Sequence, residues 1–113
     1  MRRLIRAFLY SVILAMISIL LVASLWEKPF ALTVILFFIG IVILIARWNK
    51  KDLILYLSIG IAGALAESFA IVFGAWSYGL PQIIGVPYWL PLLWGIAAIF
   101  IKEISKEIGE FFN

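Results

Sequence analysis

The sequence predicts an all-α integral membrane protein, a four-transmembrane-helix bundle with an amphipathic C-terminal helix. Three observations predict it. The 113 residues are 66% hydrophobic and only 13% charged, against about 25% charged and 45–50% apolar in an average soluble domain. A soluble core this small has no room to hide that much apolar surface. The apolar residues fall into four runs of helical length, and the charges gather at the ends of those runs and between them, with one exception, Glu67. The chain reads as a single transmembrane domain.

The first span runs from about Leu4 to Leu25. Arg2, Arg3 and Arg6 precede or open it, and Val22-Ala23-Ser24 near its end offers small residues, as a secretory leader would. Leader h-regions run about 7–15 residues, however, so this longer run is read as a retained first helix. The second span covers Phe30 to Ala46 and the third Leu53 to Phe73. At about 1.5 Å per residue the third spans roughly 31 Å, one hydrocarbon thickness. The fourth lies between about Tyr88 and Ile101, with Pro91 in its first turn, where proline is tolerated. A start near Ile83 with a kink at Pro87 is the alternative. Beyond it, residues 102–113 form a tail in which Ile101, Ile104, Ile108 and Phe111 repeat at helical spacing. Lys102, Glu103, Lys106, Glu107 and Glu110 are expected on its solvated face. Such a helix would lie on the cytoplasmic surface or on a partner.

Basic residues set the expected topology. Three stand at the N-terminus, three between spans two and three (Arg47, Lys50, Lys51) and two in the tail (Lys102, Lys106), eight of the nine in all. Only Lys28 lies on the other side. The positive-inside rule then places the protein in the cell membrane as a multi-pass protein with both termini cytoplasmic. Trp26, Trp76 and Trp89 fall at outer span ends and Trp48 at an inner one, as interfacial anchors do. Because the basic residues flank apolar runs, nucleic acid is not an expected partner. With no Cys and no His, thiol chemistry and the usual metal ligands are excluded, and no metal or cofactor is assigned.

Glu67 is the only formal charge between Leu53 and Ile101. A carboxyl at bilayer depth is costly and faces a packed interior or a wet cavity, so it marks a candidate site. On span three, Gly60, Gly63, Ala64, Glu67, Ala70 and Gly74 share one helical face, within about 120° at 100° per residue. All but Glu67 are small, so the stripe is expected to be the packing face and span three the packed centre. Glu67 is the candidate proton donor. The competing reading is a structural carboxyl bonded to a neighbouring Ser, Tyr or Trp.

The outer loop, GAWSYGLPQIIGVPY over residues 74–88, carries no charge, two prolines, three glycines and three aromatics. A loop in water is ordinarily more polar. It is expected to lie at the outer interface or to fold back on the bundle. Trp76, Tyr78, Tyr88, Trp89 and Trp94 are the candidate ligand-binding residues, walls of an apolar pocket above Glu67. An aromatic interfacial belt is the alternative.

Glu67, then Gly74-Ala75-Trp76-Ser77-Tyr78, then Ile84-Gly85 and Leu90-Pro91-Leu92 resembles a pattern in the membrane-embedded lycopene cyclase domain. There an acidic helix residue stands seven positions before a Gly-x-Trp-Ser-aromatic segment, followed by an Ile/Leu-Gly and a helix-opening proline. The Gly85-Val86-Pro87 and Pro91-Leu92-x-Trp94 end is also similar to membrane carotenoid hydratases. The resemblance covers residues 67–94, about a quarter of the chain. It implies a small helical bundle around an apolar isoprenoid pocket. The cyclase pattern also has two adjacent carboxylates after its proline. Leu93 and Trp94 stand there in this chain, so Glu67 alone carries over.

Three function classes follow. The first is a protein binding a membrane lipid or isoprenoid, with carotenoid cyclase- or hydratase-like acid chemistry at Glu67 and aromatic faces to stabilise a carbocation. The second is an oligomeric proton- or cation-coupled small transporter or channel, which needs a homo-oligomer because four short spans enclose no polar path. The third is a non-catalytic scaffold paired with a partner membrane subunit through the span-three stripe.

Overall fold

The computed structural model describes residues 2–46 and 48–112, with side chains described at Arg6, 9–46 and 48–109. The expected topology markers Arg2, Arg3 and Arg47 and the tail positions Glu110 and Phe111 lie, wholly or in their side chains, outside the described residues. The architecture is all-α. Four helices run in order, α1 (Arg2–Leu25), α2 (Pro29–Ala46), α3 (Lys50–Val72) and α4 (Leu90–Phe112), with no strand among the described residues. Two of them, α2 and α3, are long and apolar enough to cross a membrane. In α1 the apolar stretch is Leu9–Leu25.

Local chemistry explains the helix ends. Pro29 opens α2, where its fixed φ suits a first helical turn and its missing N–H costs nothing. Asn49, extended at φ −159°, caps α3 by accepting a hydrogen bond from the Lys51 backbone N–H at 2.8 Å. Asp52 follows in the first turn, where a negative charge complements the helix dipole. At the far end Gly74 has φ +83°. Its N–H donates to the Ile71 carbonyl and the Ala75 N–H to the Ala70 carbonyl. This paired pattern is the Schellman motif, which needs a left-handed residue after the cap.

The packed centre is α4 rather than α3, which corrects the expectation. Helix α4 touches each of the other three, most extensively α3. Its buried Leu90, Ile96 and Ile99 meet Leu32 and Leu36 of α2 and Tyr56 of α3 in one core. The Tyr56 ring is held between two glycines. An ideal Cβ at Gly40 would stand 2.5 Å from its hydroxyl oxygen, and one at Gly95 would stand 2.7 Å from its ring. Helix α2 buries Leu32, Leu36 and Gly40, one face at four-residue spacing, and leaves the large side chains Phe30, Phe37, Phe38 and Ile45 exposed.

The tail departs from expectation at two residues. Lys102 and Glu103 do not lie on a solvated face. Lys102 donates to Asp52 and stands 3.2 Å from Glu103, and both carboxyls are buried. Pairing with Asp52 on α3 draws this side of α4 inward, and the expected apolar positions Ile101 and Ile108 are exposed together with Ser105, Lys106 and Gly109. A buried carboxyl is tolerable only with such a partner.

The loop before α4 does not extend the helix back to Ile83. Ile83 and Val86 exchange backbone hydrogen bonds of 2.9 Å in each direction. Between them Ile84 and Gly85 have φ of 47° and 81°, the geometry of a type I′ hairpin turn. Gln82 ties the loop together, donating to the Leu80 carbonyl and accepting from the Tyr88 N–H. Val86, Pro87 and Trp89 are buried against the bundle, while Trp76, Ile84 and Tyr88 are exposed.

Candidate functional site around Glu67

The site is built where the last third of α3 meets the first turns of α4. Gly60 and Gly63 allow that approach. A Cβ at Gly60 would stand 2.7 Å from the Pro91 carbonyl oxygen, and one at Gly63 would stand 2.3 Å from the Trp94 ring. With α4 this close, the Trp94 indole reaches Glu67, one turn further along α3, and its Nε1–H donates to Oε2. The Tyr78 hydroxyl, brought in by the loop, donates to Oε1 at 2.5 Å. Each oxygen of the one carboxyl inside the apolar stretch is thus held by a different aromatic residue.

The two partners differ chemically. An indole N–H can only donate, so Oε2 faces Trp94 as an acceptor. A phenol both donates and accepts, so Oε1 and the Tyr78 oxygen can pass one proton in either direction. Burial raises the Tyr78 phenol above its ordinary range, and the hydrogen bond and then the charge of Glu67 raise it further. Each carboxyl oxygen also keeps a second lone pair for a ligand.

Glu67, Tyr78 and Trp94 border a cavity of about 300 Å³ between α1 and α4. Its other walls are Ala15, Ser18 and Ile19 of α1 and Leu90, Leu93, Ile96, Ala97 and Phe100 of α4. Ser18 is already bonded to the Leu14 carbonyl at 2.9 Å, so its hydroxyl offers the cavity little. The wall is apolar with one polar edge. A second cavity of about 230 Å³ lies outside it, lined by Trp26, Ser77, Tyr78, Gly79, Leu80, Pro87 and Trp89 with Val22 and Ala23. Tyr78 and Trp89 meet edge to face, with ring centroids 5.9 Å apart.

The expected site residues therefore separate. Tyr78 and Trp94 join Glu67, and Trp89 stands behind Tyr78 in the outer cavity. Trp76 and Tyr88 are exposed and line neither cavity. Of the small-residue stripe, Gly60, Gly63 and Ala64 are buried and Ala70 is half-buried. Gly74 does not belong to the packing face, because nothing lies within 4 Å of its would-be Cβ. Its glycine serves the backbone turn that ends α3. Sequence reasoning missed the α1 and α4 walls of the inner cavity. Ile96 and Phe100, four apart on one helical face, were the available signal. Among the described residues no group of three or more Asp or Glu is placed to hold a metal ion.

Comparison of the chain with protein-family models, with curated proteins and with solved structures returned no match.

Proposed function

We propose that this is a four-span membrane protein with both termini cytoplasmic, whose inner cavity binds an apolar isoprenoid or lipid ligand against Glu67. The observation that carries the reading is an apolar cavity whose polar edge is a single carboxyl held by Tyr78 and Trp94. Ligand sites commonly have this form, mostly apolar walls with a few placed polar groups.

Membrane placement is supported by α2. It is apolar all round yet leaves Phe30, Val34, Phe37, Phe38, Val42 and Ile45 exposed, which suits an apolar surrounding medium. The long axis of 43 Å matches a bilayer of about 40–45 Å with its headgroups. The ion pair between Asp52 and Lys102 brings the start of α3 and the far half of α4 to one end, as an up-and-down hairpin requires.

Within this reading Glu67, when protonated, gives its proton to the ligand, and the carboxylate left behind takes a proton back when the resulting cation loses one. The Trp94 face beside it suits a developing positive charge on a polyene. Isoprenoid acid chemistry of the kind the lycopene cyclase resemblance implies is the narrower form of the proposal.

Mass spectrometry of lipids retained after gentle purification tests it. The parent should retain an apolar molecule near one per chain. Ala97→Phe, which fills the cavity, should lose it. Equal retention by both would sink the reading.

A further inference from the structure

The inner and outer cavities share one wall residue, Tyr78. They differ in chemistry. The inner one is lined by Ile96, Ala97 and Phe100 among others, with no unsatisfied polar group beyond the Glu67 edge. The outer one is bordered by Ser77 and by Trp89, whose indole nitrogen is buried with no hydrogen-bond partner. Native interiors rarely leave such a donor unpaired, because its desolvation goes uncompensated. The Trp89 nitrogen has no hydrogen bond to give up when an acceptor reaches it.

We infer that the two cavities are halves of one site for a single elongated amphiphile. Its hydrocarbon chain lies in the inner cavity, and its oxygen-bearing end lies in the outer one against Trp89 and Ser77. Tyr78 is the partition, and the chain passes beside it once its ring shifts. The inference rests on the apolar-ligand reading and adds the class and direction of the ligand. A pure hydrocarbon would leave the Trp89 donor unpaired. A molecule carrying a hydroxyl, carbonyl or ester oxygen at one end satisfies both halves.

Photolabelling of the protein in lipid nanodiscs tests this. The probes are two long-chain alkanols of equal length, one with a diazirine at the tail end and one with a diazirine beside the hydroxyl. The tail probe should label Ile96 or Phe100, and the head probe should label Trp26 or Ser77. Ala97→Phe, on the inner wall, should cut head-probe labelling of the outer cavity several-fold, because the chain has lost its seat. Ala15→Phe fills the same cavity from α1 and serves if the first variant does not fold. If both probes label one cavity, or if outer labelling persists when the inner cavity is filled, the two cavities are independent and the inference is overturned. If neither probe labels either cavity, the apolar-ligand reading fails as well.

Discussion

Trp94 lies flat enough on Gly63 that a methyl group at position 63 would overlap its indole, at 2.3 Å from Cδ2. The same indole holds Glu67. A packing glycine therefore sets the position of a site residue one turn away. Gly63→Ala should destabilise the protein by about 1–3 kcal/mol, the usual cost of overpacking. It should also change the tryptophan near-ultraviolet dichroism as Trp94 leaves Glu67. Ile61→Leu, on an exposed position of the same helix, should stay within about 0.5 kcal/mol of the parent. Equal melting of the two variants in detergent would show that the close approach is not packing.

Gly74 calls for a different substitution series. Its surroundings are open, and its φ is +83°. Gly74→Ala should cost about 1 kcal/mol through backbone strain alone. Gly74→Asn should cost less, since Asn tolerates the left-handed region. If Gly74→Asn melts no higher than Gly74→Ala, the Schellman turn is not what the glycine supplies.

Ile84 is the opposite case, a β-branched residue at φ 47°. Such a placement costs of order 1–3 kcal/mol, and the exposed side chain gains little packing in return. Ile84→Asn would create Asn-Gly, the preferred pair for this turn. Thermal stability should rise by the equivalent of about 1 kcal/mol. A lower melting temperature would mean that the Ile84 side chain has a partner that offsets its strain.

Tyr78 gives a pH dependence with a definite sign. Its phenol holds its proton more tightly in the folded protein than in the unfolded chain. The stability it contributes is complete below the ordinary tyrosine value of about 10. It is lost as pH climbs from there toward the higher folded value. Tyr78→Phe should therefore show a shallower alkaline loss of stability than the parent. Superimposable alkaline melting curves would contradict the assigned burial and bonding of this hydroxyl.

Topology is open to direct measurement. Single cysteines at Lys28 and Lys50 should react with an impermeant reagent from opposite faces of sealed vesicles, following the placement of eight basic residues on one side. Reaction of both from one face would rule out the four-span arrangement.

Much of the fold was legible in the sequence because long apolar runs bounded by charge announce helices. The four helices follow from apolar runs and flanking charge, and Glu67 stands out because nothing else in its stretch is charged. Tyr78 and Trp94 were legible only as members of an aromatic set. Which of five aromatics reach Glu67 depends on the register of α4 against α3, and Gly60 and Gly63 set that register only once Pro91 and Trp94 are known to face them. The Ile84 turn was hidden because an Ile-Gly pair lacks the usual residue at the first left-handed position. The pairing of Lys102 and the burial of Glu103 were hidden because charges beside an apolar run read as topology markers, and only the contact with Asp52 reveals the pair.

The place of α4 as the helix that touches all the others has a consequence for biogenesis. Of the four helices it comes last in chain order, so it is made after the other three. Until it arrives, Gly60 and Gly63 have no neighbour to receive, Tyr56 has one of its two glycine walls, and Asp52 waits for its cation. The earlier helices can form but cannot complete their shared core. A chain stopped before Leu90 should therefore be a substrate for quality-control proteolysis rather than a smaller working protein, because the docking of α4 is the step that commits the fold.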